Sequence, residues 1–310
     1  RELEALTEAE EALKRSCMEL SKTPRQVVGV PLEALEILMC LRCGEGISLR
    51  EGEVQGGKIM SGCLACSGAC GFEIRVAGGI LYSGSSIEAT EDHLQLDQAF
   101  LETYLKSTDP SFLDRVYEGL HWIEKRTDFK GYHRALELGS GHGFYLRTIY
   151  DQLTESLLYV AVDYDPSRHH FLKTMLEAAA RPGKILLLCA PFEALPLKPD
   201  SFDCLLDFTG TSNYSFDHSD FLLSRIHPLV KAQAKLYGSF IVFDRFGVKT
   251  RIPEPMRANF TEAALRNRIE HLGFRLTQTY TTQSVNQGGV YEDYFNDDEV
   301  VRTFICIGER

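Results

Sequence analysis

Residues 134–147 read Arg-Ala-Leu-Glu-Leu-Gly-Ser-Gly-His-Gly-Phe-Tyr-Leu-Arg. The apolar run Ala135–Leu138 predicts a short strand. Gly139, Gly141 and Gly143 then occupy alternate positions ahead of a helical stretch from Phe144 to about Leu153. Glycines so spaced allow positive φ and let the backbone approach a ligand closely. The helix behind them points unpaired N–H groups at whatever sits over the turn. The spacing is G-x-G-x-G, not the dinucleotide fingerprint G-x-G-x-x-G. Glu137, two residues before the first glycine, suits a cationic ligand better than a pyrophosphate. A second apolar strand, Leu157 to Val162, ends in Asp163, where a carboxylate can hold a ribose diol.

Cysteines form the other chemical set. Cys40-Leu-Arg-Cys43 and Cys63-Leu-Ala-Cys66 are two C-x-x-C pairs with nineteen residues between them. Two such knuckles can close a tetrahedron of thiolates around structural Zn²⁺, so Cys40, Cys43, Cys63 and Cys66 are the expected ligands. Cys70 is a fifth thiol that could stand in for Cys66. Iron in a rubredoxin-like site, or a redox dithiol pair, would use the same residues.

The run E-L-G-S-G-H-G resembles the first motif of class I S-adenosylmethionine (SAM) dependent methyltransferases, of the type 11-like kind. Later blocks keep the family's order: Asp163-Tyr164, then strand Lys184–Ala190 with Pro191-Phe192-Glu193, then strand Ser201–Phe208 carrying Asp207. The resemblance spans roughly residues 110–310 and implies an α/β, Rossmann-like seven-stranded sheet with helices on both faces. It implies that Glu137, Gly139, Ser140, Gly141 and Gly143 hold the amino-acid end of SAM. Asp163 takes the ribose, Tyr164 and Phe192 meet the adenine, and Asp207 lies by the methyl. Pro191 replaces the family's adenine-binding Asp.

Methyl transfer from a sulfonium needs positioning first, and a base only where the acceptor must lose a proton. The acceptor site is therefore less legible than the donor site. Asp207, Tyr214 and His218 are the candidate catalytic residues. The loop lacks the Asn-Pro-Pro-Tyr of amide and amine methylation. It also lacks a Pro-Cys nucleophile.

Around these residues four segments are expected: an N-terminal helical part (1–39), a zinc ribbon (40–82), a helical lid or linker (83–130) and the SAM domain (131–310). Leu3, Leu6, Leu13, Cys17 and Leu20 predict an acidic amphipathic helix over 2–21. Leu94 to Leu105 and Phe112 to Ile123 predict two lid helices, with core packing the expected role of Tyr104 and Trp122 and pocket lining the alternative. Residues 291–299 predict an acidic hairpin loop. Ribosomal-RNA guanine methyltransferases carry a similar ribbon ahead of a similar domain.

Charge argues against an RNA acceptor. The chain is −11 overall, residues 1–130 hold 14 Lys and Arg against 22 Asp and Glu, and residues 40–82 balance four against four. Nucleic-acid binders derive affinity from neutralising phosphates. The expected acceptor is thus a small molecule or other non-nucleic group, with RNA as the alternative and SAM sensing without catalysis as a third reading. No apolar run approaches the ~20 residues of a membrane span, no signal peptide is evident, and nine cysteines suit a reducing cytoplasm.

Overall fold

The computed structural model describes residues 27–84, 110–179, 183–247, 250–285 and 299–310. The helices expected over 2–21 and 94–105, Tyr104, and the 291–299 loop except Glu299 lie outside these residues.

The chain is α/β, and one sheet organises it. Seven strands form its methyltransferase-like part: β6 (Arg134–Leu138), β7 (Leu158–Asp163), β8 (Lys184–Cys189), β9 (Phe202–Phe208), β10 (Val230–Val242), β11 (Arg275–Val285) and β12 (Val300–Glu309). Their order is β8-β7-β6-β9-β10-β12-β11. β6 to β10 pair in parallel, and β12 runs antiparallel to both β10 and β11. All six residues of β7 are buried. Leu158, Val160 and Val162 enter one core cluster, and Tyr159 and Ala161 the other. Such two-faced burial is what a parallel strand covered by helices on both sides requires.

Five further strands come from the cysteine-bearing segment: β1 (Val30–Pro31), β2 (Ile47–Gln55), β3 (Lys58–Cys66), β4 (Glu73–Ala77) and β5 (Ile80–Tyr82). They extend the same sheet to twelve strands, because β5 pairs in parallel with β8, Leu81 opposite Leu188 and Tyr82 opposite Cys189. The cysteine-bearing segment is thus joined to the seven-stranded part edge to edge. Lys184 Nζ to Glu33 (2.7 Å) and Arg134 to Glu36 (2.9 Å) add ion pairs across the junction.

The helices are α1 (Pro110–Glu124), α2 (Phe144–Ile149), α3 (Pro166–Ala178), α4 (Gly210–Ser215), α5 (Leu222–Ile226) and α6 (Glu262–His271). α1 lies against β11 and β12, where its Trp122 stacks on Tyr280 (centroids 5.5 Å) under Arg126. Trp122 therefore packs α1 against the sheet, as core packing would have it, and does not line the cavity described below. Asp165 caps α3 by accepting from Ser167 N at 2.9 Å.

The glycine turn passes under the start of α4 with no room to spare. A Cβ on Gly210 would lie 2.3 Å from the Leu138 carbonyl oxygen, and one on Gly139 2.7 Å from Gly210 Cα. Gly210→Ala should cost about 1–3 kcal/mol, since backbone must move to admit the methyl. A denaturant midpoint equal to that of the parent would contradict this packing.

Candidate functional site

Three strand ends and the turns behind them line a cavity of about 810 Å³ together with Leu113, Val116 and Tyr117 of α1. Glu137, Gly139, Ser140 and Gly141 line it, as do Asp163, Tyr164, Phe192, Tyr214 and His218. The sheet's topology explains the meeting. Ligand sites of doubly wound sheets lie beyond the carboxyl ends of the strands, where neighbouring strands β6 and β9 send their connections to different places.

Gly139, Gly141 and Gly143 have φ of 63°, 51° and 74°, the left-handed conformation that their spacing predicts. Gly143 packs under Leu172, whereas nothing lies nearer than 3.9 Å to a Cβ built on Gly141. Gly141 thus opens onto the cavity. Its N–H donates to Asp163 Oδ2 at 2.8 Å, while Asp165 N donates to Oδ1 at 3.0 Å. Arg168 Nη1 stands 3.8 Å from the same carboxylate. Asp163 therefore ties the glycine turn to the end of β7.

Glu137 is buried to 1% exposure and takes one hydrogen bond, from the Tyr159 hydroxyl at 2.9 Å. Burial pushes its carboxyl up to about 8, against the pull of that bond. Ser140 Oγ is buried with no hydrogen-bond partner. A buried orphan hydroxyl and a buried carboxyl with one hydrogen bond on the same cavity wall are costly unless a ligand satisfies them. The pair suits the amino-acid end of SAM, with Glu137 toward the ammonium group. Tyr164, 55% exposed, stands at the rim with Arg168 5.7 Å from its ring, and Phe192 forms the inner wall beside Pro191.

Near α4 the structure brings Tyr214 and His218 together and sets Asp207 apart. Tyr214 and His218 stack in parallel at 4.0 Å. The Tyr214 hydroxyl donates to Asp220 Oδ1 (3.1 Å), so it faces away from chemistry. His218 Nδ1 lies 3.0 Å from the Tyr214 carbonyl oxygen and Nε2 3.8 Å from Glu193 Oε1. A carbonyl only accepts, so Nδ1 carries the hydrogen and Nε2 is left to take a proton.

Asp207 is the correction. It is 1% exposed, is absent from the cavity wall, and accepts from both the N–H (3.0 Å) and the hydroxyl of Thr211. Burial raises its pKa to about 6 despite those bonds. Its role is to hold the start of α4, which places Thr209 and Asn213 in the wall. Thr209 itself sits at φ 65°, an uncommon conformation for a β-branched residue that is often stored at functional sites.

Several wall residues were not singled out from the sequence. Arg168 follows Asp163 by five residues on α3, a spacing that could have suggested it. His142, held down to about 4 by burial and by Arg168, lies inside the glycine run itself, whereas Arg115, buried against Ser284 Oγ (2.9 Å) and the Thr303 hydroxyl, carried no such signal.

The metal set also changes by one residue. Cys40, Cys43, Cys66 and Cys70 bring their sulfurs within 4.8 Å of one another. Cys63 turns away, with its sulfur 3.5 Å from Glu73 Oε2. The reason is strand geometry. Cys63 and Cys66 both lie in β3, and residues three apart on a strand face opposite sides. Cys40 and Cys43 sit in a turn and do converge. The N–H groups of Arg42 and Gly68 donate to Cys40 and Cys66 sulfurs at 3.3 Å each. Four thiols in this arrangement suit structural Zn²⁺, whose sulfur ligands lie about 3.8 Å apart when tetrahedral.

Residues 136–237 match the profile of the family described as "Methyltransferase domain". No curated protein matches the chain. Among solved structures, the YcgJ protein from Bacillus subtilis is similar at 11% identity and a TM-score of 0.48, over 63% of this chain and 98% of that one. A SAM dependent methyltransferase from Aquifex aeolicus gives 15% and 0.43, over 71% and 99%. Haemonchus contortus phosphoethanolamine N-methyltransferase 2, with phosphomonomethylethanolamine and S-adenosylhomocysteine, gives 13% and 0.44, over 63% and 52%.

Proposed function

We propose that this chain, a class I SAM-dependent methyltransferase, passes its methyl group to a small, non-nucleic acceptor. The observation that carries the reading is the composition of the cavity wall. Beyond the donor residues that wall is mainly apolar, from Phe208, Phe216, Ile241 and the α1 side chains. A site for a polynucleotide should instead be an open, basic groove. Among the described lining residues only Arg115 and Arg168 are permanently cationic, and Arg168 is engaged with Asp163 and Asp165.

Bound SAM supplies an activated methyl on a sulfonium, so no covalent enzyme intermediate is needed. Glu137 and Ser140 hold the amino-acid end, and Asp163 takes the ribose hydroxyls. Phe192 and Tyr164 flank the adenine. α1 and the aromatic wall exclude water and orient the acceptor. His218 Nε2 accepts the acceptor's proton as the new bond forms, with Tyr214 holding the ring in place. The described cysteines form no disulfide, and we place this chemistry in the cytoplasm. No helix among the described residues is long and apolar enough to cross a membrane.

The acceptor class is tested by incubating the protein with methyl-labelled SAM and a cell extract, then separating small molecules from polymers. Label should enter the small-molecule fraction and survive prior nuclease treatment of the extract. Label confined to RNA would reverse the assignment. His218→Gln should then lower kcat roughly 100-fold, the scale of a positioned general base, with SAM affinity unchanged. An unaltered kcat would remove His218 from the mechanism.

A further inference from the structure

The loop that forms the adenine side of the cavity, Pro191-Phe192-Glu193, is attached to the ribbon at both ends. On its N-terminal side, β8 ends against β5, with Tyr82 opposite Cys189 and Ser83 N donating to the Cys189 carbonyl at 2.9 Å. On its C-terminal side, Met39 N donates to the Pro196 carbonyl (3.0 Å) and Lys198 N to the Ile37 carbonyl (2.8 Å). Leu38 and Leu197 form the bridge between these bonds and are both fully buried. Lys198 Nζ also donates to the Glu36 carbonyl at 2.6 Å.

Both attachments lead to the cysteines. Cys40 directly follows the Ile37–Met39 bracket. Cys66 ends β3, Cys70 lies in the connection from β3 to β4, and β4 pairs with β5. Met39 is bridged in turn to Gly46, and Ser67 N donates to the Gly46 carbonyl at 2.9 Å. A bond among the four thiolates would therefore fix the two brackets relative to each other. Besides the clasp, the 37–39 bracket reaches β4 and β5 through the pairing of β1 with β3 at Val30 and Pro31 and through the Met39–Gly46 bridge, all of them upstream of or beside the cysteine turn.

We propose that the four-cysteine clasp positions the adenine wall: a zinc-class cation on Cys40, Cys43, Cys66 and Cys70 holds Pro191–Glu193 in the shape that binds SAM. The ribbon thereby acts on the donor site in the same chain. The proposal rests on the SAM reading of the cavity, and a clasp of this kind makes metal content a determinant of cofactor affinity.

The test is calorimetric titration of S-adenosylhomocysteine into the full chain. It is run zinc-loaded, after chelation and after zinc is restored, with metal content and circular dichroism measured on each sample. Zinc-loaded protein should bind with one metal per chain. Chelation should weaken binding at least tenfold, and added zinc should restore it. Cys70→Ser should lose both metal and affinity, whereas Cys63→Ser should keep both. Met39→Pro deletes one bracket N–H and leaves all four thiols. It should keep the metal and still lose affinity at least tenfold, and it carries the test where the chelated chain unfolds. Equal affinity with and without zinc in folded protein would overturn the proposal, as would Met39→Pro binding like the parent. No binding by the zinc-loaded parent would instead defeat the SAM reading itself.

Discussion

Asp163→Ala should weaken SAM binding by at least roughly 150-fold. The substitution removes the carboxylate from two ribose hydroxyls, and hydrogen bonds to a charged group are worth about 1.5–3 kcal/mol each. It also releases Gly141 N and Asp165 N, which the same carboxylate holds at 2.8 and 3.0 Å. The glycine turn then loses its tie to β7. Asp163→Asn keeps the side chain's shape and one acceptor oxygen, and should cost roughly 10- to 50-fold, the charge-assisted part of those bonds. Calorimetry checks both. Binding by Asp163→Ala within threefold of the parent would contradict the ribose assignment.

Affinity for SAM should also rise with pH. Burial lifts Glu137 from its ordinary 4.5 to about 8, so the empty site holds the carboxyl mostly neutral at pH 7. An ammonium group placed beside it favours the charged form and lowers that pKa. Binding then expels a proton, and affinity climbs as pH rises toward 8 and levels off above it. Between pH 6 and pH 8 the expected gain is roughly 50-fold for one such proton. Glu137→Gln, a neutral mimic, should flatten the curve at its low-pH level. Titrations in buffers of different ionisation enthalpy would reveal the released proton. A pH-independent affinity in the parent would show that Glu137 does not meet the cofactor's charge. For the empty protein the sign is opposite. A raised folded pKa contributes stability fully below about 4.5, and this is lost as pH rises through about 8.

The glycine turn was legible because its residues are consecutive and their spacing has one physical meaning. Alternate glycines after an apolar strand require left-handed backbone, and all three adopt it. Glu137 and Asp163 end neighbouring parallel strands, so the order of elements alone brings them together. The cysteines illustrate the limit. C-x-x-C reads identically in a turn, where both sulfurs converge, and in a strand, where they diverge. Only the pairing of β3 with β2 and β4 decides that Cys63 leaves the cluster and Cys70 enters it.

Asp207 failed for a similar reason. A carboxylate at a strand end can face a ligand or cap the next helix, and the short step to Thr211 settles it for the cap. Least legible was the ribbon's attachment. Composition marks residues 40–82 as a separate unit, but Leu81 and Tyr82 complete the edge of β8. An exposed parallel edge invites such pairing, and nothing in the pattern of Ile80-Leu81-Tyr82 names its partner.

The most direct test of the account is a crystal structure of the chain with S-adenosylhomocysteine. The ligand's amino-acid end should lie against Glu137 and Ser140 Oγ, its ribose hydroxyls on Asp163, and its adenine between Phe192 and Tyr164. The sulfur should point toward the lobe that holds Tyr214 and His218. A cavity without ligand at saturating concentration, or a nucleoside bound elsewhere on the chain, would contradict the assignment of this site.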